Sequence, residues 1–266
     1  MAQSSLKIQC PAKINRTLKV IEKRSDGFHN IESIMQTINL YDYLTLTVEP
    51  AKMFKIKLSG TSSEIPYDEK NLAYKACLAF IERINMYPCN ITIFIEKNIP
   101  VSAGLAGGSS NAAGVIFGMN EIFRHPLSRN ELHELCAKLG SDLNFCLEGG
   151  RQKATGRGEI LKKLPFEQFT LSLIKPIGLG ISAKEAYAKF STKDKNAADR
   201  ANFVNDLEWA VIDDYEELRE IKQKYPSSVM SGSGPAYYDI NTKFEPCDNF
   251  LVINNLNSIN SGVKLV

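Results

Sequence analysis

The run Pro100-Val101-Ser102-Ala103-Gly104-Leu105-Ala106-Gly107-Gly108-Ser109-Ser110-Asn111-Ala112-Ala113 constrains the architecture more than any other stretch of this chain. Three glycines within five residues let a backbone approach an anion closely, and Ser109, Ser110 and Asn111 offer an N-cap and hydroxyls beside the partial positive charge of a helix terminus. Ile91 to Ile95 alternates as a strand does, and Ala112 to Phe123 has the small and apolar content of a packed helix. Strand, glycine loop and helix thus follow in order, as a phosphate-holding loop requires. No Lys-Ser or Lys-Thr follows the last glycine and the spacing Gly-x-Gly-x-x-Gly is absent, so neither the Walker loop nor the dinucleotide fingerprint applies. The alternative is a glycine turn that only lets a helix pack tightly on a sheet.

With 266 residues, 44% of them hydrophobic, the chain has enough apolar surface for one large core or two medium ones. Its 32 basic and 30 acidic side chains nearly cancel, which gives no reason to expect a nucleic-acid surface and favours small-molecule partners. Cys10, Cys77, Cys89, Cys136, Cys146 and Cys247 form no Cys-x-x-Cys pair and read as reduced core residues. The absence of an apolar leader or membrane-spanning run predicts a cytoplasmic protein with no membrane partner.

Strands are predicted at Leu6 to Cys10, Ile14 to Glu22, Ile34 to Leu40 and Tyr43 to Val48, with a turn at Ser25-Asp26-Gly27. Asn71 caps a helix reaching Asn85, and Ser128 with Glu131 has capping-box spacing for a helix ending at Gly140. Further on, Arg151 to Leu164 and Thr170 to Lys175 read as strands, Ala183 to Phe190 and Asn205 to Lys222 as helices, and Ser191 to Arg200 as an exposed loop. Short strands at Ser228 to Met230, Pro235 to Ile240 and Phe250 to Ile253 surround a second glycine turn, Ser231-Gly232-Ser233-Gly234. The change of texture places a boundary at 158, giving units 1–158 and 159–266.

Several segments in sequence order resemble the GHMP kinase superfamily: Pro11-Ala12-Lys13-Ile14-Asn15, Arg24-Ser25-Asp26-Gly27-Phe28-His29, Asn71-Leu72, the glycine loop, Gly140-Ser141-Asp142-Leu143-Asn144-Phe145, Ala154-Thr155-Gly156-Arg157-Gly158-Glu159, Asn205-Asp206-Leu207-Glu208 and Met230-Ser231-Gly232-Ser233-Gly234. The resemblance runs from about residue 8 to about residue 240. It implies a two-domain α+β fold, with an N-terminal α/β domain carrying the phosphate loop and a ferredoxin-like C-terminal α+β domain. It also implies an ATP-dependent kinase, most similar to the branch that phosphorylates the 2-hydroxyl of a cytidylyl sugar alcohol. Homoserine or mevalonate kinase activity, or a catalytically silent ligand sensor, are the alternatives.

The same resemblance assigns roles. Asp142 is the expected base and Lys13 its partner, useful only if the two lie within about 4 to 6 Å. Taken alone, Asp142 after Gly-Ser reads as a turn or cap residue and Lys13 as a solvated strand lysine. ATP is expected at Asn71, Leu72, Lys97 and Pro100 to Ser110, with Mg²⁺ near Ser109 or Ser110 and its ligands unassigned. Asn15, Phe28, His29, Asp142 and Tyr187 are expected at the acceptor, with Phe28 and Tyr187 on opposite faces of the cytidine ring and His29 at its edge. A homodimer is possible. Four departures stand out: Ala106 where a positive φ would be costly, Asn144 in place of a common proline, Pro235 after Gly234, and only Asn241 to Asn249 where a sizeable helix is usual, which predicts an undercovered sheet face.

Overall fold

The computed structural model describes residues 3–85, 87–193 and 198–266. Two long antiparallel strands, β1 (Ser4–Lys23) and β2 (His29–Pro50), run the length of the molecule and turn at 24–28. The four strands expected here are therefore two. Pro11 falls at a register shift between Pro11 and Ala12, where a missing N–H is tolerated, so the strand passes through it instead of ending. Further shifts between Asn15 and Thr17 and between Val20 and Glu22 bend the hairpin, and its two ends serve different cores.

The first sheet adds β3 (Lys55–Gly60), β4 (Cys89–Glu96), the hairpin of β5 (Arg151–Thr155) and β6 (Ile160–Lys163), and β11 (Lys264–Leu265). Its order is β11-β1-β2-β4-β3, with β5 on β2 and β6 on β5. Residues 151–164, expected as one strand, are divided by the turn that Gly156 and Gly158 make at positive φ. Helix α1 (Leu72–Ile84) begins at Asn71, whose side chain accepts from the Ala73 amide, and α3 (Arg129–Leu139) begins at Ser128 with both capping-box bonds formed. Helix α2 (Gly107–Ile122) presses directly on β1 and β2, because a Cβ at Gly114 would lie 2.5 Å from Cys10 Sγ and one at Gly118 2.5 Å from Ile8 Cδ1. Between α3 and β5 lies the short α4 (Leu143–Glu148).

The second sheet comprises β7 (Thr170–Pro176), β8 (Val229–Met230), β9 (Tyr237–Asp239) and β10 (Phe250–Asn257), antiparallel throughout in the order β10-β7-β9-β8. Counted along the chain this is 4-1-3-2, the ferredoxin-like order. Helices α5 (Ala183–Thr192), α6 (Asp206–Val211) and α7 (Glu216–Lys224) lie between its first two strands. The helix expected over Asn205 to Lys222 is broken by a 3-10 turn at Ile212–Asp214 and an extended Tyr215, since the Asp213-Asp214 pair favours turn over helix interior. Within the loop expected at 191–200, Ser191 and Thr192 close α5 and Arg200 lies in a 3-10 turn, while 194–197 fall outside the described residues.

No helix joins β9 to β10. In its place Phe244 is buried among Tyr225, Ile221 and Phe250, with its ring edge-on to Tyr225 at 4.7 Å. Asn254 holds it there by exchanging two hydrogen bonds with the Phe244 backbone, at 3.1 and 3.0 Å. The sheet corner expected to lie bare is thus plugged by one aromatic side chain, although Leu251 and Ile240 stay exposed.

Ile8, Leu44 and Leu46 join α1 and α2 in one core, while Leu18, Val20 and Ile31 join α5 to α7 in another. A third cluster, containing Ile14, Leu105, Leu173 and Tyr238, lies between the sheets and couples them. Five cysteines are buried as expected; Cys247 is exposed. Among the described residues no helix is long and apolar enough to cross a membrane.

Candidate active site

The glycine loop departs from expectation at its start. Helix α2 begins at Gly107, and the N-cap is Ala106, in the left-handed region at φ 57° with no side-chain cap bond. Ser110 and Asn111 therefore sit inside the helix, both buried, and the serines do not cap it. No side chain caps the first-turn amides, and Gly107, Gly108 and Ser109 line the smaller cavity, an arrangement suited to an anion.

The loop is the wall between two cavities, and Gly104 and Ala106 line both. The smaller, about 320 Å³, is lined by Asn71, Leu72, Lys97 and every residue from Pro100 to Ser109, together with Asn111 of the same run and Ile65, which sequence reasoning missed. Ser110 is the one expected nucleotide residue outside it; its hydroxyl points into the core and has no hydrogen-bond partner among the described residues. Asn71 lines the cavity while its amide also binds the Pro66 carbonyl at 2.7 Å. Lys97 is nearly buried, and burial lowers its pKa against the pull of Asp42.

The larger cavity, about 760 Å³, gathers Lys13, Asn15, Phe28, His29, Asp142 and Tyr187, which stand far apart in sequence. Lys13 comes from β1 and is 4% exposed, with its ammonium 2.6 Å from Asn15 Oδ1 and 3.7 Å from Asp142 Oδ2. Asp142 occupies the N-cap position of α4 but makes no side-chain cap bond, so its carboxylate is turned to Lys13 and the cavity instead of closing its own helix. Asn144, where a proline is common, donates to the Glu159 carbonyl at 3.0 Å and ties the first turn of α4 to the β5–β6 turn. This tether holds the segment that bears Asp142.

The aromatics of this cavity come from the hairpin turn, β2 and α5. Tyr187 of α5 stacks on His29 with centroids 5.0 Å apart and planes 16° apart, and His29 Nε2 lies 3.0 Å from Ser191 Oγ. Burial and the nearby Asp142 charge raise the Tyr187 phenol above its usual pKa. Phe28, half exposed at the hairpin turn, carries the Arg157 guanidinium over its ring at 4.7 Å. Arg157, Lys184, Lys23 and Gly232 also line this cavity, and none was given a role from sequence. Arg157 stands inside the quoted Gly156-Arg157-Gly158 motif and Gly232 inside the second glycine turn, so a signal existed for both; Lys23 and Lys184 carry none.

The second glycine turn closes the site from the other sheet. Ser231 Oγ donates to the Gly104 carbonyl at 3.0 Å and the Ala236 amide to Ala103 O at 3.3 Å. A Cβ on Gly104, at φ 75°, would lie 2.0 Å from Ser231 O, so only glycine permits this approach.

The model of the family described as GHMP kinases N terminal domain matches residues 71–150. A 4-diphosphocytidyl-2-C-methyl-D-erythritol kinase of Macrococcus caseolyticus is 38% identical over 88% of this chain and 89% of its own length. One from Clostridium botulinum is 40% identical over 90% and 93% respectively. The crystal structure of a 4-(cytidine 5'-diphospho)-2C-methyl-D-erythritol kinase superposes with a TM-score of 0.75 at 26% identity, covering 95% of this chain and 99% of that one. A homoserine kinase from Cytophaga hutchinsonii superposes equally well, with a TM-score of 0.76 over 98% of this chain and 97% of that one, but at 16% identity it speaks for the fold alone. Backbone similarity thus does not separate the branches, whereas sequence identity over nearly the whole length does: the chain is a GHMP kinase and belongs to the 4-diphosphocytidyl-2-C-methyl-D-erythritol kinase family.

Proposed function

We propose that this protein transfers the γ-phosphoryl group of ATP to the 2-hydroxyl of 4-diphosphocytidyl-2-C-methyl-D-erythritol. One observation carries the reading: a glycine loop with free helix-terminal amides separates a cavity of nucleotide-loop character from a cavity holding a lysine–aspartate pair and an aromatic wall. Phosphoryl transfer needs positioning and charge compensation more than covalent help, and a loop thin enough to be shared by both cavities supplies the positioning. In this reading Asp142 takes the acceptor hydroxyl's proton. Lys13, oriented by Asn15, faces the same hydroxyl and offsets negative charge on the transferring group. Phe28, His29 and Tyr187 offer stacking faces and polar edges to the cytosine ring, and Arg157 backs Phe28.

Magnesium fits this donor set as an ion that arrives on the phosphates. Among the described residues no three metal-ligating side chains gather, and Mg²⁺ characteristically keeps waters and takes few protein ligands. Ser109, on the nucleotide side, and Asp142, on the acceptor side, are the residues that would hold it. Bound there, the ion would neutralise phosphate charge.

ATP consumption measured with the cytidylyl alcohol, homoserine and mevalonate tests the proposal. Turnover of the cytidylyl alcohol is expected, with a loss of about 10²-fold or more in kcat for Asp142→Asn. Turnover of homoserine or mevalonate alone would overturn the acceptor assignment, and turnover of none would leave a silent ligand sensor.

A further inference from the structure

Asp42 belongs to no motif and lines neither cavity, yet it is a fully buried carboxylate directly behind the nucleotide loop. Its Oδ1 accepts from the amides of Asn98 and Ile99 at 2.7 and 2.8 Å, where the chain leaves β4 for the loop. Its Oδ2 accepts from Asn111 Nδ2 at 3.0 Å, in α2, and is ion-paired with Lys97 Nζ at 3.0 Å. One side chain therefore ties the entrance of the loop, its floor and the helix that follows it.

The geometry also changes what Lys97 can do. Lys97 donates to Asp42 Oδ1 at 3.3 Å and to the Ile99 carbonyl, with its ammonium also paired to Asp42 Oδ2 at 3.0 Å. Both hydrogen bonds and the ion pair are made inside the fold, beneath the loop. Directly above lies Gly107, the first residue of α2, where a Cβ would come within 3.0 Å of Lys97 Nζ. Lys97, expected at the nucleotide and lining the smaller cavity, is thus also a strut under the loop, and Asp42 is its footing.

We propose that Asp42 is a positioning residue for the nucleotide: without touching it, Asp42 sets the height and tilt of the glycine loop through Lys97, the 98–99 amides and Asn111. The proposal rests on the reading of the smaller cavity as the ATP site. Substitution of a footing should change the fit of the loop to phosphate while leaving the acceptor cavity, on the far side, as it was.

The test is steady-state kinetics on Asp42→Asn, Lys97→Met and the double variant, with thermal melts in parallel. Asp42→Asn removes the charge at constant shape and is expected to raise KM for ATP about tenfold or more, with KM for the acceptor within about twofold of wild type. The double variant buries no lone charge. It is expected to melt closer to wild type than either single variant, and still to show a KM for ATP no higher than that of the worse single, because residues acting in one chain of contacts are non-additive. Equal rises in both KM values, a wild-type KM for ATP in the folded double variant, or effects that multiply across the pair would each overturn the proposal. A wild-type protein that consumes no ATP overturns both this proposal and the reading of the cavity, whereas active wild type with unmoved KM values in the variants overturns this one alone.

Discussion

Gly232 gives the most direct test of whether the two glycine turns jointly set the reacting geometry. It has φ 55°, and a Cβ there would lie 2.8 Å from Gly104 O, 3.0 Å from Lys13 Nζ and 3.3 Å from Asn15 Oδ1. Gly178 is its control: φ is 77°, but nothing lies within 4 Å of its Cβ position. Alanine at Gly178 meets only the left-handed backbone penalty, about 1 kcal/mol. Alanine at Gly232 meets that penalty plus overpacking against backbone, for a total of about 2 to 4 kcal/mol. To reach ordinary contact distance the Lys13 ammonium has to retreat by about 0.5 Å, and since a misplacement of about 1 Å can cost about 10²-fold, Gly232→Ala should lower kcat roughly tenfold. Urea denaturation and initial rates on both variants check this. Equal losses of stability, or an unchanged kcat for Gly232→Ala, would refute the reasoning.

Two further predictions concern stability away from the site. The hydrogen bond from His133, followed by the contacts of Arg129, holds the Glu148 carboxyl at about 2, below the usual 4.5 of a glutamate, against the opposing effect of burial. Its folded pKa is depressed, so its contribution is full above pH 4.5 and is lost as pH falls toward 2; with a partly exposed carboxylate this amounts to about 1 to 2 kcal/mol. Glu148→Gln should show that cost in urea melts at pH 7 and a smaller one at pH 3; equal costs at both would refute it. Phe244→Ala should remove about 3 to 5 kcal/mol by opening the plugged corner, while kcat per folded molecule stays unchanged, a combination read from calorimetry and active-site titration.

What sequence reasoning could see was mostly local. The Asn71 and Ser128 caps were legible because an N-cap is specified by its own residue and the next three, and both formed as expected. The break placed at Pro11 failed because a proline ends a strand only where its amide is required, and a register shift removes that requirement. Strand β3 went unseen although Lys55-Ile56-Lys57-Leu58 alternates as a strand does, because only two apolar residues, Ile56 and Leu58, carry the pattern at the sheet edge. The serines after the glycines were given a capping role because Ser and Asn are preferred N-caps; here the N-cap is Ala106, three residues before Ser109, and Ser110 turns into the core. Asp42 had no signal at all, since its partners lie 55 to 69 residues away and only folding brings them together.

The segment Asn205-Asp206-Leu207-Glu208 shows why distant motifs travel together. Asn205 Nδ2 donates to Met230 O and Gly232 O, both at 2.8 Å, and Glu208 Oε2 accepts from the Met230 amide at 3.2 Å. Asp206 Oδ2 accepts from the Val20 amide at 2.8 Å, and Leu18 N donates to Val204 O at 3.1 Å, so the same segment is fastened to β1. Strand β1 is in turn bonded to the glycine loop, from Lys13 N to Leu105 O at 3.1 Å, and the loop to the second turn through Ser231 and Ala236. Lysine strand, glycine loop and second turn form a closed triangle of hydrogen bonds, fixing where Lys13 sits. Phe28, His29 and Tyr187 are side chains of the hairpin turn and α5, outside that triangle. The aromatic wall of the larger cavity can therefore vary without moving the lysine, which is how one backbone arrangement can serve kinases for different alcohols.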